Sequence, residues 1–90
     1  MQFEWDQTKA ERSIKKHRVS FDEALTVFYD PFSATFNDAD HSIGEHRYIT
    51  VGYFSRRRSL VVAHVERKEA AIRIISARLA TAQERKRHES

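Results

Sequence analysis

The sequence predicts an α+β fold in a single domain over residues 1–90: two N-terminal helices, a four-stranded antiparallel sheet and a short C-terminal helix. Three observations carry this. Apolar residues recur at helical spacing up to Asp30-Pro31. From Ser33 to Ala77 they alternate or run together as strands do. The connections between those strands are too short for the crossovers that parallel neighbours need, so the sheet should be antiparallel with the helices on one face.

Phe3-Glu4-Trp5 reads as a short extended lead-in. Asp6 can cap a first helix running to about His17, with Thr8 and Glu11 as an alternative capping box. Ala10, Ile14 and His17 form one stripe of it, among Lys9, Arg12, Lys15 and Lys16. Ser20-Phe21-Asp22-Glu23 is a second capping box, followed by Phe21, Ala24, Leu25 and Phe28 at i, i+3, i+4 and i+7. Asp30-Pro31 ends this helix, because proline disfavours helical geometry in the residue before it.

Strands are predicted at Ser33–Phe36, Arg47–Phe54, Leu60–Val65 and Ala71–Ala77. The polar stretch from Asn37 to His46 is an exposed loop, and Ser55 to Ser59, with Arg56-Arg57-Arg58, is a hairpin connection. Thr81 with Glu84 is a third capping box and opens the last helix.

The absence of cysteine excludes disulfides and thiolate metal sites. Asp6 follows Phe3 and Trp5 too closely for a signal peptide, and no apolar run approaches the roughly 20 residues of a membrane helix. The expectation is a soluble, cytoplasmic protein that does not engage membranes. The net charge of +3 hides an asymmetry: residues 1–45 hold five Lys/Arg against nine Asp/Glu, residues 46–90 eleven against four. A basic half of this kind attracts nucleic acid or an acidic partner in a salt-dependent way.

The segment from Arg73 to His88 is the richest in chemistry. A strand carries Arg73 and Arg78 and leads into a helix start with Glu84, Arg85, Lys86, Arg87 and His88. Side chains at strand exits and helix starts converge without being buried, so two guanidiniums, a carboxylate and an imidazole can meet a phosphodiester there. The loop Asp38-Ala39-Asp40-His41-Ser42-Ile43-Gly44-Glu45-His46 offers oxygen and nitrogen donors, but lacks calcium-loop spacing and any paired i, i+4 histidines on a helix. Neither a metal nor a cofactor is expected.

Three fragments in order resemble the BrnT toxins: Trp5-Asp6-x-x-Lys9 with Lys16-His17-x-Val19-Ser20-Phe21-x-Glu23-Ala24 and Val27-Phe28-x-Asp30-Pro31; Asp38-x-Asp40-His41-Ser42-x-Gly44-Glu45-x-Arg47-Tyr48-x-x-x-Gly52; and Arg73-Ile74-Ile75-Ser76-Ala77-Arg78-x-Ala80-Thr81-x-x-Glu84-Arg85. The resemblance spans nearly the whole chain. It implies a RelE-like fold and an endoribonuclease toxin of a bacterial type II toxin–antitoxin pair, inhibiting translation and growth. It also implies neutralisation by a DNA-binding BrnA-like antitoxin, with operator DNA contacted only through that antitoxin. Ser13 and Arg18 stand where relatives commonly have Asn and Gly, and His88 where many have Tyr. Arg18 suggests a helix end without the left-handed glycine cap.

Metal-free RNA cleavage needs a 2′-hydroxyl deprotonated, charge stabilised on the phosphorane and a leaving oxygen protonated. A guanidinium suits the middle task. The catalytic candidates are Arg78, Arg73 beside it, and His17 as acid or phosphate contact; the RNA-binding candidates are Lys9, Lys16, Arg47, Arg85 and His88. Each has a plainer reading. Arg78 can pair with Glu84 to pin the last helix, His17 can bond a carbonyl, and Lys9 and Lys16 can be a solvated face. His64, in an apolar strand, reads as a satisfied core histidine. A different class of function also stands open: a basic module that binds nucleic acid or protein without chemistry, or an inactive toxin relative acting as co-repressor.

Overall fold

The structure, a computed structural model, describes residues 1–41, 44–55 and 58–89, with the side chains of Ser55, Glu69, His88 and Glu89 left aside. Ser42 and Ile43 of the predicted loop, and Arg56 and Arg57 of the predicted hairpin, lie outside the described residues. The elements run β1 (Gln2–Glu4), α1 (Gln7–His17), α2 (Phe21–Thr26), β2 (Ala34–Asn37), β3 (Arg47–Ser55), β4 (Arg58–Glu66), β5 (Ala71–Leu79) and α3 (Ala82–Glu89), with short 3-10 turns between some of them.

The sheet has five strands in the order β1-β5-β4-β3-β2. Four are antiparallel as expected, but β1 pairs with β5 in parallel, Phe3 opposite Ile72. The four-stranded antiparallel prediction is therefore corrected, among the described residues, to a five-stranded mixed sheet with three helices, an α+β fold whose first element is a strand. The extended lead-in was too short to announce itself as a strand, and its partner lies some seventy residues on. Packing of Phe3 against Phe28 at 5.3 Å and Tyr29 at 6.2 Å holds it there.

Local signals decided the helix starts. The Asp6 side chain accepts from Lys9 N at 3.1 Å. Ser20 Oγ accepts from Glu23 N at 3.0 Å while Glu23 Oε1 accepts from Ser20 N at 3.3 Å. The α2 turn is shorter than predicted and passes into a 3-10 turn at Val27–Tyr29. Arg18 itself takes the left-handed cap at φ 57°, its N–H bonded to Ile14 O, so the expectation of a helix end without that geometry is corrected. Arg58 opens β4 instead of sitting in the hairpin loop, and donates to Glu23 Oε2 at 2.6 Å.

The core lies between α1, α2 and one face of the sheet: Val19, Phe21, Ala24, Val27, Leu60, Val62, Ile74 and Ala77 are buried. Trp5 packs edge-on to Phe21 at 5.8 Å. On α1 the buried residues are Ala10 and Ser13, while Ile14 is exposed, so the predicted stripe is rotated. Ser13 Oγ lies 2.8 Å from Val19 O and 3.2 Å from Ala77 O, tying the turn after α1 to β5. Gly52 lies on this face too: a Cβ there would come within 3.1 Å of both Val27 Cβ and Ser33 Cβ.

His64 sits in the same layer. Its Nε2 shares a hydrogen bond with Thr50 Oγ1 at 2.8 Å, and Thr50 in turn bonds Thr35 at 2.8 Å. Phe28 meets the ring edge-on at 4.8 Å, and Nδ1 is buried with no partner among the described residues. Burial lowers its pKa from 6.5 to about 4. Such a group is a neutral structural histidine, as its apolar strand suggested.

Candidate active site on the open face of the sheet

The face turned away from α1 and α2 is organised in cross-strand rows, since residues paired in register point to the same side. One row reads Ala34, Val51, Val61, Arg78; the next reads Phe36, Ile49, Ala63, Ser76; a third holds Arg47, Val65, Arg73. The first two are floored by aliphatic side chains and Phe36, the last more than half exposed. The turn after Leu79 brings α3 over this floor. The resulting cleft, of ≈ 410 Å³, is lined by Phe36, Ile49, Val51, Val61, Arg78, Glu84 and Arg87.

The third capping box holds α3 in place: Glu84 N donates to Thr81 Oγ1 at 3.1 Å, and Thr81 N donates to Glu84 Oε1 at 2.9 Å. The same carboxylate receives the fork of Arg78, Nη1 at 2.7 Å and Nη2 at 2.8 Å. Nη1 also donates to Leu79 O at 3.2 Å. The bonds from Arg78 and Thr81 pull the Glu84 pKa down from 4.5 to about 2, and Glu84 in turn raises that of Arg78. Glu84 is thus a fixed carboxylate that orients the guanidinium, too weak a base to take a proton from a hydroxyl. The plainer reading of Arg78 as a helix pin is realised; with three of its five N–H groups engaged, it keeps donors in hand for an anion.

The other predicted residues divide among three places. Arg73 shares the open face with Arg78 but lies roughly 15 Å along β5, where its Nη1 is 3.7 Å from Glu4 Oε1. The expectation that the two arginines sit side by side is corrected: strand direction carries them apart. Arg47 faces Arg73 across Val65. Arg85 is exposed on α3, one residue past Glu84 and so turned about 100° from the cleft side. The side chain of His88 lies outside the described residues. Lys9, Lys16 and His17 gather at a different hollow, on α1 beside β5. Arg87 was missed as a site residue, although its i+3 spacing from Glu84 puts both on one helix face. The floor of Phe36, Ile49, Val51 and Val61 was missed too, because only strand register brings those four together.

The loop with metal-like donors uses them internally: His41 Nδ1 bonds Asp38 at 3.1 Å and His46 Nε2 bonds Asn37 at 2.9 Å. Among the described residues no three His, Cys, Asp or Glu side chains gather as a metal site would require. A larger hollow of ≈ 580 Å³ is bordered by Glu4, Glu45 and Glu66 around Arg67, whose carboxylates disfavour a polyanion. No described helix is long and apolar enough to cross a membrane.

The sequence model of the family described as the ribonuclease toxin BrnT of type II toxin–antitoxin systems matches residues 5–84. The chain belongs to the BrnT family. The fold agrees: the crystal structure of the Brucella abortus ribonuclease toxin BrnT superposes with a TM-score of 0.71 at 23% identity, covering 90% of this chain and 97% of that one. No curated protein matches the chain. Membership in the BrnT family makes RNA the substrate class and an antitoxin the partner class.

Proposed function

We propose that this BrnT-family chain is an endoribonuclease that cuts RNA without a metal ion at the open-face cleft, arresting translation and growth. A DNA-binding antitoxin of the BrnA type would neutralise it and alone contact operator DNA, both proteins acting in the cytoplasm where RNA is translated. The observation that carries the catalytic reading is that Arg78 and Arg87 line one cleft with an apolar floor. Guanidinium groups match phosphate oxygens in pairs and remain charged, so they stabilise the phosphorane as charge builds. Phe36 gives a base a surface to stack on. Arg73, Arg47 and Arg85 extend the positive field beyond the cleft and steer the strand.

A non-catalytic binding module is the second reading. It is favoured by the tight engagement of Arg78 with Glu84, and by a cleft whose described lining residues include none that titrates near neutrality.

The test compares growth and bulk RNA integrity on induction of the wild type, Arg78→Ala and Glu84→Gln, each checked for folding by thermal melt. Catalysis by Arg78 predicts loss of about 100-fold or more for a folded Arg78→Ala, with Glu84→Gln milder. Equal losses in both variants would reduce Arg78 to a helix pin. An inert but folded wild type would favour the binding module. Proton carriage is then assigned from the pH–rate profiles of His17→Gln and His88→Gln.

A further inference from the structure

The second hollow lies where α1 crosses the edge of β5. β1 pairs with β5 only over Ala71–Arg73, so from Ile74 onward that edge is left to α1. There β5 carries a bulge: Ala63 pairs with Ser76 and His64 with Ile74, leaving Ile75 without a partner across the ladder. Bulges re-aim side chains and free backbone polar groups, and they recur beside functional sites. Beside this bulge is a hollow of ≈ 250 Å³ whose wall includes Lys9, Arg12, Lys16, His17 and Ser76 and, among the described residues, no carboxylate. Lys9, Arg12 and Lys16 stand at i, i+3 and i+7 on one helix face.

The contrast with the rest of the molecule is informative. Arg58 pairs with Glu23, Arg67 with Glu4 and Glu45, Arg73 with Glu4, and Arg78 with Glu84. Among the described residues, Lys9, Arg12, Lys16 and His17 form no salt bridge. Three Lys and Arg side chains outside these salt bridges therefore line this one hollow. Ser76 and Arg78 point to the same face two residues apart, about 7 Å along the strand. The hollow and the cleft are thus two sides of one strand edge.

We propose that the α1–β5 hollow is a phosphate subsite that holds the RNA backbone next to the phosphodiester in the Arg78 cleft. This inference rests on the ribonuclease reading and adds the path of the substrate to it. Lys9, Arg12 and Lys16 supply charge, His17 supplies a directional donor, and the strand of RNA crosses the β5 edge between the two sites.

The test uses the full chain and a 2′-O-methyl RNA hexamer, which lacks the nucleophilic hydroxyl and is not consumed. Binding is measured against salt for the wild type and the exposed-residue variant Lys9→Gln/Arg12→Gln/Lys16→Gln. The proposal expects weaker binding by about tenfold, and a log–log salt slope shallower by about 0.7 for each phosphate that the variant leaves unneutralised. On cleavable RNA, KM rises while kcat holds. Unchanged affinity and slope in the variant, with a wild type that cleaves RNA, overturns it. So does a variant that binds RNA normally but no longer binds the antitoxin, which would assign the hollow to an acidic protein segment. Should the wild type leave RNA intact, the ribonuclease reading fails separately, and inorganic phosphate titrated against the His17 ring signals in NMR decides the hollow. Shifts seen in the wild type and absent from the variant uphold an anion site; unmoved signals overturn it.

Discussion

Arg78 and Glu84 meet across the turn from β5 to α3 as a two-point ion pair, Nη1 to Oε1 at 2.7 Å and Nη2 to Oε2 at 2.8 Å. The pair joins a strand-end cation to the carboxylate that also caps α3, so a single side chain serves helix, turn and cleft. Its pKa of about 2 makes that coupling measurable. The folded chain holds Glu84 ionised, and the unfolded chain binds the extra proton. Stability from this pair is therefore complete above about pH 4.5 and is lost as pH falls toward 2. With Glu84 about a third exposed, solvent screening brings its worth to about 1 kcal/mol. Chemical denaturation of Glu84→Gln against wild type should show this slope flattened.

His64 titrates in the window above. Its folded pKa of about 4 lies below the ordinary 6.5, so the unfolded chain binds more protons between those values. Stability is complete above about pH 6.5 and declines as pH falls through the window, by up to about 3 kcal/mol at pH 4. In His64→Leu, Thr50 keeps its bond to Thr35. That variant should lose the pH dependence between 6.5 and 4 while changing stability at pH 7 by less than about 1.5 kcal/mol. A slope identical to wild type would place the titration elsewhere.

Gly52 is required by approach rather than by backbone angle. An added methyl would be pressed against Val27 and Ser33 at 3.1 Å, on the buried side of a central strand. Gly52→Ala is expected to cost about 1–3 kcal/mol. Gly44→Ala meets nothing within 4 Å and is penalised only by its φ of 84°, about 1 kcal/mol. Urea midpoints at a common m-value rank the two, and a reversed order would refute the packing argument.

Arg18 holds the left-handed cap of α1 at φ 57° without being glycine. Arg18→Gly relieves the Cβ clash and keeps the carbonyl that Arg58 Nη2 bonds at 3.1 Å. The gain, offset in part by a more flexible unfolded chain, is about 0.5–1 kcal/mol. A thermal melt should rise by a few degrees. A fall would mean that the Arg18 side chain itself holds the structure.

Where information was local, the sequence was sufficient. Ser20 with Glu23 and Thr81 with Glu84 announced their capping boxes, because a cap is settled within four residues. The spans of β3, β4 and β5, the Phe21–Ala24 face of α2 and the buried His64 were legible for the same reason. So was the pairing of Arg78 with Glu84, six residues apart across one turn. Family membership was legible because three motifs kept their spacing over most of the chain.

Tertiary structure decided what depends on register and on distant partners. Only the pairing of β1 with β5 turns an antiparallel sheet into a mixed one, and nothing in Gln2–Glu4 specifies a partner at Ala71–Arg73. Only cross-strand rows set Phe36, Ile49, Val51 and Val61 beneath Arg78, and separate Arg78 from Arg73. Only the packing of α1 against β5 sends Lys9, Lys16 and His17 to a hollow of their own. Residue types carry chemistry along the chain, but which of them meet is settled by side-chain alternation and strand pairing, which act across tens of residues.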